Sequence, residues 1–198
     1  MKLEKTDFRD LLIVHLPVFG DERGRFQETF KEAQFRIETG FNITFVQDNE
    51  SLSSKGVLRG LHAQKSPKSQ AKLLRVVKGS ITDVVVDLRK TEPTFGKSFQ
   101  IELKGGDGKS LFIPEGFAHG FYCNENETIV QYKCTNYYDK NSEICLNAFD
   151  TSLNIQWPEG EKVLSKNKKK TPIVSPDGLA IRNALRLKDP KEAANFLI

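Results

Sequence analysis

Cysteine is scarce in this chain of 198 residues: Cys123, Cys134 and Cys145 are odd in number and include no CxxC pair. That excludes a disulfide framework and leaves reduced structural thiols as the expectation, with a catalytic cysteine set aside. Long apolar runs are missing too. None approaches the roughly 18 residues that a membrane-spanning helix needs, and MKLEKTDFRD at the start lacks a signal-peptide hydrophobic stretch. No membrane partner and a cytoplasmic location are therefore expected. Nor is there charge of one sign: 30 Lys and Arg against 26 Asp and Glu leave +4, too little to imply nucleic acid but suited to a small anionic ligand such as a phosphate-bearing molecule. Internal repeats and low-complexity linkers are absent.

What is present supports one folded unit. Hydrophobic residues make up 38% of the chain and 14 are Phe, which is too apolar and aromatic for a disordered chain. The length suits a single domain over 1–198, with a core from about 10 to 158 and a C-terminal appendage from about 159 to 198. From Leu11 to Leu146 the chain reads as short strands between turn signals, with one helix candidate near Phe30 to Glu38. VFGDERGRF, with Gly20, Asp21 and Gly24 between apolar ends, predicts a hairpin. KLLRVVKGSITDVVVDLR predicts two strands hinged at Lys78-Gly79-Ser80 and paired antiparallel. Further strands are expected at Phe99 to Leu103, Lys109 to Ile113, Gly120 to Cys123 and Thr128 to Asn136. Strands spaced by about 10 residues, without helical crossovers, predict an all-β sandwich, barrel or jelly roll. After Trp157-Pro158 the composition shifts: SKNKKKTP reads as a solvated basic stretch, and Asp189-Pro190 predicts a short terminal helix through Leu197.

Two of the three histidines stand in glycine-rich contexts, GVLRGLHAQ around His62 and PEGFAHGFY around His119, whereas His15 in LLIVHLP reads as structural. These spacings resemble the two motifs of cupins, small β-barrel proteins. Metal-binding cupins carry HxH and then a glutamate; this chain has His62-Ala63-Gln64, with Lys72 in the glutamate's place. A protonated ammonium cannot ligate, so two of four ligands are missing and no metal is expected. A sheltered lysine can instead stabilise negative charge on a substrate oxygen, such as an enolate. His62 is then the natural base, since imidazole titrates near neutrality. Tyr132, in IVQYKCTNYY, could return a proton, although spacing alone reads it first as a half-buried aromatic.

The segments VFGDERGRFQETF, FVQDNESLSSKGVLRGLH, QAKLLRVVKGSITDVVVDLR, FIPEGFAHGF, VQYKCTNYY and IQWP resemble, in order and spacing from about Val18 to Pro158, the dTDP-4-dehydrorhamnose 3,5-epimerases. The resemblance implies a cupin-like jelly-roll β-barrel with short peripheral and C-terminal helices. It also implies a homodimer formed by strand exchange, acting without cofactor on a dTDP-linked 4-keto-6-deoxyhexose. By position, His62 matches the general base, Lys72 the enolate-stabilising residue, Tyr132 the acid on the opposite sugar face, and Asp83 a further active-site acid. Arg59 and His119 match other pocket positions. Arg23, Phe26, Glu28, Gln47 and Asn49 match the nucleotide and diphosphate side, some reaching across the dimer, and Tyr138 matches an aromatic near the base.

Three positions depart from the family pattern. Lys168 stands where an aspartate orients the base, which would leave the imidazole tautomer less fixed, with Asp83 and Asp177 as unranked substitutes. Glu50 replaces a common histidine and Ala63 a larger aromatic, both implying an altered pocket. Three competing functions follow: a C3-only epimerase, a non-catalytic sugar-nucleotide-binding cupin, and a metal-dependent oxygenase, the last opposed by Gln64 and Lys72.

Overall fold

The computed structural model describes residues 1–165. The basic stretch after Ser165, the helix expected at Asp189, and positions 168 and 177 lie outside them. Thirteen strands and one α-helix follow each other as β1 (Lys2–Lys5), β2 (Leu12–His15), β3 (Phe19–Asp21), β4 (Gly24–Phe26), α1 (Glu32–Thr39), β5 (Gln47–Ser53), β6 (Leu58–Gln64), β7 (Lys72–Lys78), β8 (Ser80–Asp87), β9 (Ser98–Lys104), β10 (Lys109–Ile113), β11 (Phe117–Cys123), β12 (Thr128–Cys134) and β13 (Glu143–Cys145). Two antiparallel sheets result, ordered β1-β2-β10-β7-β12-β5 and β13-β6-β11-β8-β9, with β3-β4 a separate hairpin. This is the jelly-roll sandwich of the cupin class.

The order of strands follows from which faces must be buried. Inward residues of the six-stranded sheet (Ile13, Leu74, Val76, Leu111, Val130), with Leu11 just before β2, meet Ile81, Val85, Leu103, Phe117 and Phe121 of the other in one core. Period-2 alternation sends the remaining side chains outward, and each outer face has its own apolar cover. Phe35 of α1, with Phe30, Phe41 and Phe45, packs on Leu12, Val14, Leu73 and Phe112. On the far side, Leu146, Ala148, Leu153 and Trp157 pack on Leu61, Ala63, Val84 and Val86. Coverage on both faces explains why β8, SITDVVVD, carries valines without polar alternation.

The hairpin expected in VFGDERGRF forms as β3-β4, and the expected helix starts two residues late, ending at Gly40 with φ 72. The pairing expected across Lys78-Gly79-Ser80 does not form. β7 pairs with β10 and β12, whereas β8 pairs with β11 and β9 in the other sheet. Only Gly79 separates the two strands, fewer residues than the two-residue turn of a tight hairpin. Its φ of +77 turns the chain round a corner from one sheet to the other, hard against Thr128.

Gly60 sets a second constraint, in the strand that carries His62. Its φ is +101, and a Cβ there would meet the Cα of Gly120 and the carbonyl oxygen of His119. Gly60→Ala is therefore expected to cost on the order of 3 kcal/mol, from positive-φ strain plus overpacking. Urea unfolding checks this, and a midpoint equal to that of the unsubstituted chain contradicts the close approach of β6 and β11.

Candidate active site

One end of the sandwich is polar inside, because the inward positions there carry functional side chains in place of aliphatic ones. On the six-stranded sheet, directly opposite residues form two ranks, Ile113-Lys72-Cys134-Gln47 and Leu74-Tyr132-Asn49. On the other sheet His62 lies between Cys145 of β13 and His119 of β11. Opposite residues share a face, so the two sheets present these groups to the same interior space.

A cavity of about 450 Å³ opens there, lined by Asn49, Arg59, His62, His119, Phe121 and Tyr132 among others. That size suits a small molecule. Its rim is completed by Val163, Leu164 and Ser165. These are held in place where Val163 N–H donates to the Gly56 carbonyl at 2.8 Å and Leu58 N–H to the Val163 carbonyl at 3.0 Å. Lys72 is 5% exposed and sits in the rank beside Tyr132, outside the lining itself. His62 and Tyr132 thus come from opposite sheets, on two walls of one cavity.

The second layer fixes these groups. Arg59 Nε donates to Ser53 Oγ at 3.0 Å, tying β6 to the edge strand β5. Burial pushes the Tyr132 phenol above its ordinary range and the neighbouring Cys134 adds to the rise, while the Arg59 guanidinium pulls the other way. Tyr132 therefore keeps its proton at neutral pH and can act as an acid. His119 Nε2 lies 2.8 Å from Asp83 Oδ2, both side chains being almost wholly buried. The hydrogen bond engages Nε2 and leaves Nδ1 as the second nitrogen of the ring. Asp83 Oδ1, also buried, accepts no hydrogen bond from the described residues.

The nucleotide-side candidates divide into two groups. Tyr138 N–H donates to Gln47 Oε1 at 3.0 Å and Gln47 Nε2 to Asn49 Oδ1 at 2.9 Å, so Gln47 and Tyr138, which do not line the cavity themselves, are linked to it through Asn49, which does. The structure does not bring Arg23, Phe26 and Glu28 to this cavity. Arg23 pairs with Asp21 on the exposed β3-β4 hairpin, where Phe26 is 69% exposed, and none of the three lines the cavity of its own chain.

Among the described residues no three His, Cys, Asp or Glu side chains come together where they could hold a metal ion. At the position of a metal-binding cupin's second histidine, Gln64 accepts the Asp139 N–H at 2.8 Å, a structural bond of the loop that precedes β13.

The sequence profile of the dTDP-4-dehydrorhamnose 3,5-epimerases matches residues 5–175. The chain belongs to that family. Over 165 residues it is 47% identical to the dTDP-4-dehydrorhamnose 3,5-epimerase of Shigella flexneri, covering 83% of this chain and 91% of the relative. Among solved structures it is similar to the dTDP-6-deoxy-D-glucose-3,5-epimerase of Legionella pneumophila in complex with dTDP-4-keto-L-rhamnose. That match has 38% identity and a TM-score of 0.83, over 99% of this chain and 96% of that one. A 3'-monoepimerase of Streptomyces bikiniensis in complex with dTDP-quinovose has the same TM-score at 28% identity, over 96% of this chain and 93% of that one.

Against the family pattern, one departure falls outside the pocket. Ala63 packs in the cluster with Leu146 and Ala148, on the sheet face opposite His62, so the missing aromatic is a change of outer packing and not of the cavity. Glu50 does line the cavity and accepts from Gln131 Nε2 at 2.6 Å. Position 168, where the base-orienting aspartate is replaced by lysine, lies outside the described residues, three beyond Ser165 at the rim. Among the site neighbours that escaped the sequence reading are Phe121 in the lining, and Glu143, whose carboxylate helps burial hold the Tyr138 phenol up. Neither stands out in sequence. Phe121 reads as an ordinary strand aromatic, and Glu143 as one more solvated charge in the segment after Tyr138.

Proposed function

We propose that the chain inverts C3 and C5 of dTDP-4-dehydro-6-deoxyglucose, giving dTDP-4-dehydrorhamnose, without a cofactor. The observation that carries this reading is the placement of His62 and Tyr132 on opposite walls of one cavity, in a chain of this family. A ketone at C4 acidifies the hydrogens at C3 and C5. His62 removes one of them as a proton, the C–H electron pair moves into the bond to C4, and the carbonyl oxygen becomes an enolate. Lys72 supplies the positive charge that stabilises this oxygen in a dry interior. Tyr132 then delivers its proton to the opposite face, the carbonyl reforms, and solvent resets tyrosinate and imidazolium. His119, held by Asp83, and Arg59 bind the sugar and diphosphate, and Gln47, Asn49 and Tyr138 hold the nucleotide.

Arg23, Phe26 and Glu28 serve the same ligand from a second copy of the chain, which makes the protein a homodimer. Their support is the exposed hairpin itself, which carries Phe19 at 61% and Phe26 at 69% exposure away from its own cavity. Inversion at both carbons is favoured over C3 alone because the relatives named as 3,5-epimerases are the more similar in sequence. Reduction of the product with borohydride, followed by release of the sugar, distinguishes the two. An L-configured 6-deoxyhexose with the C3 configuration of rhamnose or 6-deoxytalose reports inversion at both centres, whereas a D-configured one with an altered C3 would reduce the activity to the C3 step.

The raised Tyr132 also sets a pH dependence. An acid held above its ordinary pKa stays protonated to higher pH, so kcat is expected to show no alkaline loss from Tyr132 up to roughly pH 10, the ordinary phenol value. A basic limb near pH 8 that disappears in Tyr132→Phe contradicts this.

A further inference from the structure

Cys134 occupies the centre of the polar patch on the six-stranded sheet and has no role in the reading above. Within its rank it lies between Lys72 on one side and Gln47 on the other, and in the next rank are Tyr132 and Asn49. The side chain is 1% exposed. Its sulfur accepts from Asn49 Nδ2 at 3.6 Å, closing a line that runs from Tyr138 N–H through Gln47 and Asn49 to Cys134 and ends against Lys72. Burial holds the thiol above its ordinary range although Lys72 opposes it, so the sulfur stays neutral.

From this geometry we infer that Cys134 is a positioning residue, acting as the acceptor that fixes Asn49 and so sets the nucleotide edge of the site in register with Lys72 and Tyr132. It touches no substrate atom and is neither nucleophile nor modification site. Asn49 has one amide oxygen taken by Gln47 and one amide nitrogen taken by Cys134. Its plane is therefore fixed only while both partners remain. The sulfur suits the place because it is small enough to pack between Lys72 and Gln47 and accepts weakly without carrying charge.

The inference rests on the assignment of Lys72, Tyr132 and Asn49 to the site, so those are tested beside it. Cys134→Val keeps the volume and removes the acceptor, and Cys134→Ser restores one. Cys134→Val is expected to raise KM for the dTDP-4-keto sugar about tenfold and to lower kcat by a smaller factor, as loss of one positioning hydrogen bond would. Cys134→Ser recovers to within about threefold of the original kcat/KM. In an Asn49→Ala background, Cys134→Val should cost less than about twofold, because the two side chains act as one unit. If Cys134→Val does not fold, Cys134→Ala gives the same comparison. Equal losses in the Val and Ser variants, or a full tenfold loss in the Asn49→Ala background, would overturn the positioning role. Full activity in Lys72→Ala and Tyr132→Phe would instead overturn the site assignment, a result separate from either.

Discussion

His62→Ala is expected to lose about 10²- to 10⁴-fold of hydrogen exchange at C3 and C5, the contribution of a general base, while dTDP binding stays nearly intact. The imidazole sits on β6 directly opposite His119 and lines the cavity, whereas the proposed nucleotide edge lies on β5 and the segment after β12. Removing it takes away the proton acceptor and leaves the connected line of Gln47, Asn49 and Tyr138. The fold should survive, because His62 is only partly buried and its neighbours Leu61 and Ala63 pack on the other face of the sheet. Single-turnover exchange in deuterated buffer, read beside calorimetric titration with dTDP, separates the two effects. Full exchange in the variant removes His62 from the chemistry.

Tyr132→Phe has the second large effect, and its signature is qualitative. The substitution keeps the ring that packs against the main core and removes only the hydroxyl, so stability changes little. With His62 in place the proton still leaves and solvent deuterium still enters, but from the face it left. The expected result is deuterium at C3 or C5 without inversion, with epimer formation down about 10²-fold or more. Proton NMR of the sugar reads deuterium content and configuration together. Undiminished epimer would assign protonation of that face to water or another residue.

How much of this was legible in the sequence depended on how local each feature is. The β3-β4 hairpin, α1 and the strands from β9 to β12 were readable because turn residues and alternation are local signals. The partner of a strand is not local. KLLRVVKGSITDVVVDLR carries the correct strands, but whether Gly79 makes a hairpin or a corner depends on β10, β11 and β12, far along the chain. The same limit governed the site. His62, Lys72, Tyr132 and Asp83 were singled out by residue type and resemblance. That Asp83 is taken up by His119, that Ala63 faces away from the cavity, and that Cys134 sits among four site residues all depend on register. Arg23, Phe26 and Glu28 mark the end of what one chain displays, since their hairpin stands away from the cavity.

The central claim is proton transfer at both carbons flanking the C4 ketone, across a cavity with His62 on one wall and Tyr132 on the other. Its most direct test is incubation of the chain with dTDP-4-dehydro-6-deoxyglucose in D₂O, with proton NMR following the C3 and C5 signals. Deuterium is expected at both positions in the inverted product. Retention of protium at either position would contradict it.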